Sequence, residues 1–567
     1  KEHALAGPFL FYDYSPSVIH RFLDVLVPEG VWICVISSEV AAQRKMDLSE
    51  QWYKTPYDVE EIDERTRNRW RDAAPADGLR IPPPNSFIPT DFDILAPESN
   101  IAQNYPVVIR DDSRWRVHFY QDDTFQRPKA NVYLELVSSA AYQSPRHAVL
   151  TNLFTLLLMD ELNEFAYDAE IAGLHYGLSN TMTGMRLLVR GYNHRLLVLL
   201  RAIVEKMASR RVCSERFGRV RDAMQRDYAN FFMEQPYQHA LYAVSYCIQV
   251  PRWHVRDYVA VSKAVTAEEL EAFIPSLFER MHIEMLVHGN MRKEDALGVA
   301  ALVDEVVSFG AMYEGEYPER RIVEIPSGPH GVLWQAAVPN AADANSAIEN
   351  YYQTSSCGAR ADQRHDVMLE LLAEVANKPC FHQLRTVEQL GYLVFSGIDR
   401  VDNSQGFRIL VQSTVASPVE LDTRIECFLE SFGGTLEVMT QTELAAYATS
   451  LITLKLEKPK RLTQQTNLWW AEITDRRYEY DRHEREAALL GEIQVTELRE
   501  FYKTHIAHQG SQRRKLSSQM FGSSHSITVS DRSNAKEGGP SLIKDPIKFR
   551  NSRPLLPCAD PAAPVFG

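Results

Sequence analysis

Ala148–Ser179 reads AVLTNLFTLLLMDELNEFAYDAEIAGLHYGLS, and Asp366–Gly397 reads DVMLELLAEVANKPCFHQLRTVEQLGYLVFSG; the two align without a gap at an offset of 218 residues. Each is an apolar-periodic helix, a polar turn and a short strand. Upstream of each, Asn131–Leu136 (NVYLEL) and Glu349–Thr354 (ENYYQT) keep the same offset and are strand-like, rich in aromatic or β-branched residues. Downstream, Gly184–Val189 matches Gly406–Val411 at an offset of 222, which makes the second hairpin four residues longer. Thr266–Asn290 and Thr496–Gly522 each give a helix, with Phe273 or Phe501 inside, leading into a strand. A third copy of that ending sits at Ser15–Glu39, with Phe22 in the helix and Trp32–Ser37 as the strand. Strand, helix, strand, strand, helix therefore recurs as a module, twice complete and once as a closing piece.

Composition shifts mark the joints. Ile81–Pro84 and 96–128, Pro- and Asp-bearing and weakly periodic, read as a linker after a truncated domain at 1–95. The complete modules span 129–315 and 336–522, with a joint at 316–335. Residues 523–567, rich in Ser, Gly, Pro and Lys, read as a loosely packed tail that Phe549, Leu555 and Leu556 could pin to the body.

The 567 residues are 45% hydrophobic and 24% charged, a globular composition too long for one core. With 75 acidic against 61 basic residues the net charge is -14, which disfavours nucleic-acid binding through bulk charge. Seven scattered cysteines without a CxxC pair suggest a reduced, intracellular chain. Apolar runs such as Leu153–Met159 fall short of the roughly 20 residues of a membrane span. The chain opens on Lys1-Glu2-His3 without Met or a signal-peptide pattern, so we expect a fragment of a longer protein.

Lys378–Gly397 (KPCFHQLRTVEQLGYLVFSG) closely resembles the C-terminal half of the insulysin type of the pitrilysin family of zinc metallopeptidases. Ser86–Thr90 (SFIPT), Asp160–Tyr167 (DELNEFAY), Glu234–Ala240 (EQPYQHA) and His288–Asn290 (HGN) resemble it too, in the family's order, over roughly residues 10 to 520. The resemblance implies an α+β fold: two complete homologous domains, each an antiparallel-rich sheet with packed helices, after the C-terminal part of a preceding one. In the family, four such domains close as two bowls around a chamber. Its zinc site is HxxEH plus a distal Glu, two histidines one helical turn apart with a Glu to activate water. None of the 17 histidines here begins HxxEH or HExxH. Zinc is therefore expected in an N-terminal catalytic half, and no metal is expected on this chain.

By resemblance, Tyr392 donates to the tetrahedral oxyanion, Arg385 holds substrate carbonyl groups and Phe381 lines a substrate side pocket. A phenol suits the first role because it donates without a charge, and hydrolysis accumulates negative charge on the scissile oxygen. Read as residues alone, Arg385 and Tyr392 also fit a helix-closing surface pair and a half-buried strand tyrosine, and Phe381 fits a core aromatic. Lys458, Lys460 and Arg461 (EKPKRL) resemble a basic patch on the chamber wall that could hold acidic ligands, and equally fit a solvated loop. His282, Glu284 and His288 share strand parity and read as the wet face of a sheet rather than as metal ligands, which strand spacing would splay. His505 and His508 lack an evident third ligand.

The expected function is the C-terminal half of an endopeptidase acting on short peptides, inactive alone, cytoplasmic, homodimeric through this half, and without nucleic-acid or membrane partners. The alternative is a non-catalytic peptide-binding or scaffold subunit of the same fold.

Overall fold

The computed structural model describes residues 13–74, 78, 83–97, 104–209, 211–356, 363–402, 404–525, 527 and 539–557. The chain divides into two compact units, Lys1–Pro84 and Asn85–Gly567. The boundary falls before the expected 95, because Asn85 Nδ2 donates to Asp168 O (2.6 Å), Leu95 N donates to Asn290 Oδ1 (2.8 Å), and Phe87 is buried, all in the second unit.

In the first complete module, β1 (Val107–Asp111), β2 (Trp115–Gln121), β3 (Lys129–Val137), β4 (Leu174–Asn180), β5 (Gly184–Tyr192) and β6 (Arg280–Gly289) are ordered β1-β2-β6-β3-β5-β4, and β7 (Gly310–Ala311) adds to β6. The β2–β6 pair is parallel; β6–β3, β3–β5 and β5–β4 are antiparallel. The second module has β8 (Val332–Ala337), β9 (Ser346–Ser356), β10 (Leu393–Val401), β11 (Ser404–Ser413), β12 (Lys515–Phe521) and β13 (Ser541–Leu542), ordered β10-β11-β9-β12-β8-β13. Its β8–β12 pair is again parallel, and the next three pairs antiparallel. The duplication read from the sequence is thus a duplication of topology, with NVYLEL and ENYYQT in corresponding strands at the middle of each sheet.

The helices that use these repeats are α1 (Pro145–Ile171), α2 (Asn193–Ala208), α3 (Pro236–Ile248), α4 (Ala267–Leu277), α5 (Gln363–Phe381), α6 (Pro418–Val438), α7 (Leu462–Thr474) and α8 (Val495–His505). Starts are set locally: Pro145 opens α1 behind Ser144, whose Oγ accepts from His147 N, and Ser417 with Glu420 forms a capping box on α6. Leu153 and Leu157 of α1, Leu196 and Leu200 of α2 and Leu270 and Ile274 of α4 form the first core with Val132, Leu134 and Leu136 of β3. Leu372 and Ala376 of α5, Ile425 and Phe432 of α6 and Leu498 of α8 do the same with Ile348 and Tyr352 of β9.

The opposite face of each sheet is covered by the other module. Ala240 of α3 packs on Ala347, Leu410 and Met520 of the second sheet. Trp469, Trp470 and Ile473 of α7 pack on Tyr120, Tyr133 and Leu286 of the first. Both α3 and α7 are the third helix after their module's second hairpin, so the modules exchange equivalent helices. Burial on both faces is why β3 is buried along almost its whole length.

Four sequence expectations change. Residues 96–128 are not simply a linker, since they carry β1 and β2, and Trp115 is fully buried. The 316–335 joint contains the start of β8, and its Arg321–Ile322 pairs with Gln249–Val250. Trp32–Ser37 forms no strand: the helix Pro16–Leu23 is present, but among the described residues nothing pairs with 32–37, and unpaired backbone cannot make a ladder. In the tail, β13 pairs with β8, Phe549 is buried on a short helix Pro546–Asn551, and Leu555 bridges to Val323. Residues 526, 528–538 and 558–567 of that tail lie outside the described residues. Cys34, Cys213, Cys247, Cys380 and Cys427 are free; Cys357 and Cys558 lie outside the described residues. Among the described residues no helix is long and apolar enough to cross a membrane.

Candidate functional site

The second module changes character where α5 ends. Pro379 removes one amide from the last turn, and the helix then widens into a π-helical turn over His382–Val387, with Glu388 N donating to Gln383 O (3.0 Å). Gln389 follows with φ +53°, a left-handed conformation uncommon outside glycine. At Gly391 a Cβ would lie 1.9 Å from the Gln412 carbonyl oxygen, so only glycine lets the chain pass β11 here. The bend ends at Tyr392, immediately before β10, which lies at the edge of its sheet.

This turn brings the three predicted residues together. The Arg385 guanidinium carbon stands 4.7 Å from the centre of the Phe381 ring and 4.5 Å from that of Tyr392. Stacking on two rings fixes a long side chain that water would otherwise leave free, at about 0.5–1 kcal/mol per exposed stack. Tyr392 is 87% exposed and Phe381 41%, so the cluster faces outward. Beneath it, Leu384 is fully buried. Glu388 is braced by Arg424 Nε (2.6 Å) and Gln383 Nε2 (2.8 Å), and these bonds hold its carboxyl below the usual range. Gln412, paired with Leu393 in β10, accepts from Tyr237 N (3.1 Å), tying the start of the edge strand to α3 of the other module.

The other candidates lie elsewhere. Lys458, Lys460 and Arg461 occupy the exposed turn before α7, where Lys460 Nζ pairs with Glu457 (2.7 Å). His282, Glu284 and His288 correct the wet-face expectation: Glu284 and His288 are buried under residues that arrive from the second module. Glu284 accepts from Tyr478 Oη (2.6 Å) and meets His118 Nε2 (3.3 Å), while His288 Nδ1 lies 2.8 Å from Thr466 Oγ1 on α7. Burial pushes His288 down to about 3, which keeps it neutral. His505 lies tilted against Phe501 and edge-to-face with His365, and burial pushes it down to about 4. Each histidine is thus committed to a separate packing partner. Among the described residues no group of three His, Cys, Asp or Glu is placed to hold a metal ion, so the donors described here do not fit the family's zinc.

Residues 1–261 match the model of the middle or third domain of peptidase M16, and residues 371–470 match the C-terminal lobe domain 4 of PqqF-like PQQ synthase. Human insulin-degrading enzyme is 34% identical over 99% of this chain. By sequence and by fold, the chain resembles the C-terminal half of an insulysin-like M16 peptidase. An Arabidopsis thaliana protein named insulin-degrading enzyme-like 1, peroxisomal, is 32% identical over 97% of the chain. The insulysin-like fold is also that of crystalline pitrilysin, with a TM-score of 0.81 over 98% of this chain at 22% identity. The chain spans about half the length of these relatives, 55% of the human enzyme, 56% of the plant one and 57% of the pitrilysin chain.

Sequence reasoning did not single out Glu388, Arg424 and Gln412, which hold the insulysin-like turn in place. Their partners are 36 residues away for Glu388 and Arg424 and 175 for Gln412 and Tyr237, and no local periodicity encodes such distances.

Proposed function

We propose that this chain is the substrate-holding half of an insulysin-like zinc endopeptidase that cleaves short peptides inside a chamber. The supporting observation is the Phe381–Arg385–Tyr392 cluster at the head of edge strand β10. An edge strand offers unpaired amides and carbonyls, so an extended peptide can add to it through main-chain hydrogen bonds that tolerate many sequences. Phe381 offers an apolar face for a substrate side chain. Arg385 donates to peptide carbonyls, and its stacking leaves the guanidinium fixed before substrate arrives. Tyr392 donates its phenolic proton to the carbonyl oxygen as that oxygen gains negative charge, which favours the transition state over the ground state. Zinc and its activated water belong in this reading to the remainder of the protein, and no step on this chain runs through them.

Self-association through this half, and a ligand-holding role for Lys458, Lys460 and Arg461, are parts of the same proposal; sedimentation of the chain tests the first. Mixing the chain with the N-terminal half of its parent protein tests the main reading. Zinc-dependent cleavage of a quenched fluorescent peptide is expected from the mixture and not from this chain alone. A mixture that binds peptide without cutting it would support the scaffold alternative instead.

A further inference from the structure

A cavity of about 470 Å³ lies between the two modules, away from the Tyr392 turn. Leu241, Ser245 and Gln249 of the first module form one wall; the rest comes from the second sheet and the turn after β10, from Arg320 of the joint and from the 475–477 segment. Every charged group of its lining but one has an opposite charge within 3.1 Å. Asp399 meets Arg408 (3.1 Å), Asp402 meets Arg320 (3.1 Å), Asp475 meets Arg477, and Arg400 is taken by Glu370. Glu349, in the middle of β9 and only 1% exposed, is the exception. Neither of its oxygens has a hydrogen-bond partner, and Arg408 comes no closer than 3.8 Å.

Such a group is costly to bury unsatisfied, on the order of 1–3 kcal/mol or more for a charge. The corresponding position in the first sheet, 218 residues earlier, is Asn131, and there α7 supplies Thr466 as a partner at 2.7 Å. At Glu349 the covering helix α3 leaves a cavity instead. Two further buried acceptors at this cavity also go unbonded, Asp402 Oδ2 and Gln249 Oε1. These four unmet acceptor atoms outnumber the unmet donors of the lining, Arg408 Nε and Arg477 Nε, which calls for a further donor, and the volume falls in the range that small-molecule ligands fill. Among the described residues the carboxylates are not grouped for a metal ion, and the donor that suits a lone buried carboxylate is an organic ammonium.

We propose that this cavity is a binding site for a small primary-ammonium compound, whose N–H groups donate to Glu349 and whose body fills the space between α3 and the second sheet. Because its walls come from both modules, occupancy ties them together. Burial, chiefly, with a smaller push from Asp399, raises the empty-site Glu349 carboxyl to about 8. Pairing with an ammonium requires the ionised form, so affinity must rise with pH up to about that value.

Calorimetry on the full chain with butylammonium tests this, with butyrate and tetramethylammonium as the comparison solutes. One-site binding of butylammonium is expected at pH 8, tightening about tenfold per pH unit between 6 and 7.5. Butyrate carries the opposite charge and tetramethylammonium lacks the N–H donors, so neither should compete. Glu349→Gln should weaken binding at least about tenfold, one hydrogen-bonded charge pair's worth. Absence of saturable binding, equal binding of tetramethylammonium, or full affinity in Glu349→Gln would each overturn the proposal, leaving a cavity that holds water. The comparison among solutes uses the wild-type chain, so the test survives if the variant does not fold. It does not depend on the peptidase reading, because no cleavage is measured.

Discussion

The two modules share the order and direction of their five inner strands and the placement of their helices, with an outer pair that is antiparallel in the first sheet and parallel in the second, yet diverge most at one matched stretch. In the first, α1 runs unbroken to Ile171, and Gly173 leads straight into β4. In the second, the same number of residues is spent on a shorter helix, a π-turn and an exposed bend. The residues matching Phe381, Arg385 and Tyr392 are Asn163, Tyr167 and Leu174. Leu174 is buried at 1% exposure where Tyr392 stands at 87%. Gly173 and Gly391 match, so the tight passage is retained while the residue after it is turned from core to display. One duplicated unit therefore supplies both a structural connection and a candidate site, and the difference lies in about a dozen residues.

Giving the second turn the first turn's residues, Arg385→Tyr with Tyr392→Leu, should erase that difference in a reconstituted enzyme. Loss of the oxyanion donor predicts a fall in kcat of about 10²–10³-fold and loss of the carbonyl-holding Arg385 a raised KM, with the chain's circular dichroism unchanged. Stability should respond most at the buried ion cluster between α6 and β12. Glu426 meets Arg513 (2.6 Å) and Lys515 (2.7 Å), and Arg513 is 1% exposed. Glu426→Gln removes the carboxylate that faces buried Arg513, while Lys515 keeps Asp422 (2.6 Å), and should cost about 3 kcal/mol in urea unfolding.

The same cluster has a defined pH signature. Burial alone would raise the Glu426 carboxyl, but Lys515 and Arg513 outweigh it and bring it down to about 2. A depressed folded-state value means that its stabilisation is complete above the unfolded value near 4.5 and is lost as pH falls through about 2. Acid titration of the wild type against Glu426→Gln should show the two curves converging only in that window.

Smaller effects test the exchanged helices. Thr466→Val leaves Asn131 and His288 without their partner and should cost about 1–3 kcal/mol, read as a lower thermal midpoint. Lys460→Ala should change stability by less than about 0.5 kcal/mol, because its pair with Glu457 is exposed.

The duplication was legible because an offset near 218 persists through helix and strand periodicity that each module needs for its own core. Phe381, Arg385 and Tyr392 were singled out through their resemblance to the family, and the geometry adds that Arg385 stacks on both rings. What the sequence concealed comes from across the module boundary. His288 and Glu284 read as solvent-facing since the residues that bury them, Thr466 and Tyr478, lie 178 and 194 positions away. Strands β1 and β2 read as linker because they join a sheet whose centre comes later in the chain. Glu349 looked like one strand residue among several; only the structure shows that it borders a cavity without a hydrogen-bond partner.

The central claim is that the exposed turn of the second module takes part in peptide hydrolysis, and steady-state kinetics of Tyr392→Phe in the reconstituted enzyme test it most directly. A fall in kcat of about 10²-fold or more, with peptide affinity held within about twofold, is the predicted result. An unchanged kcat would contradict it and remove Tyr392 from the chemistry.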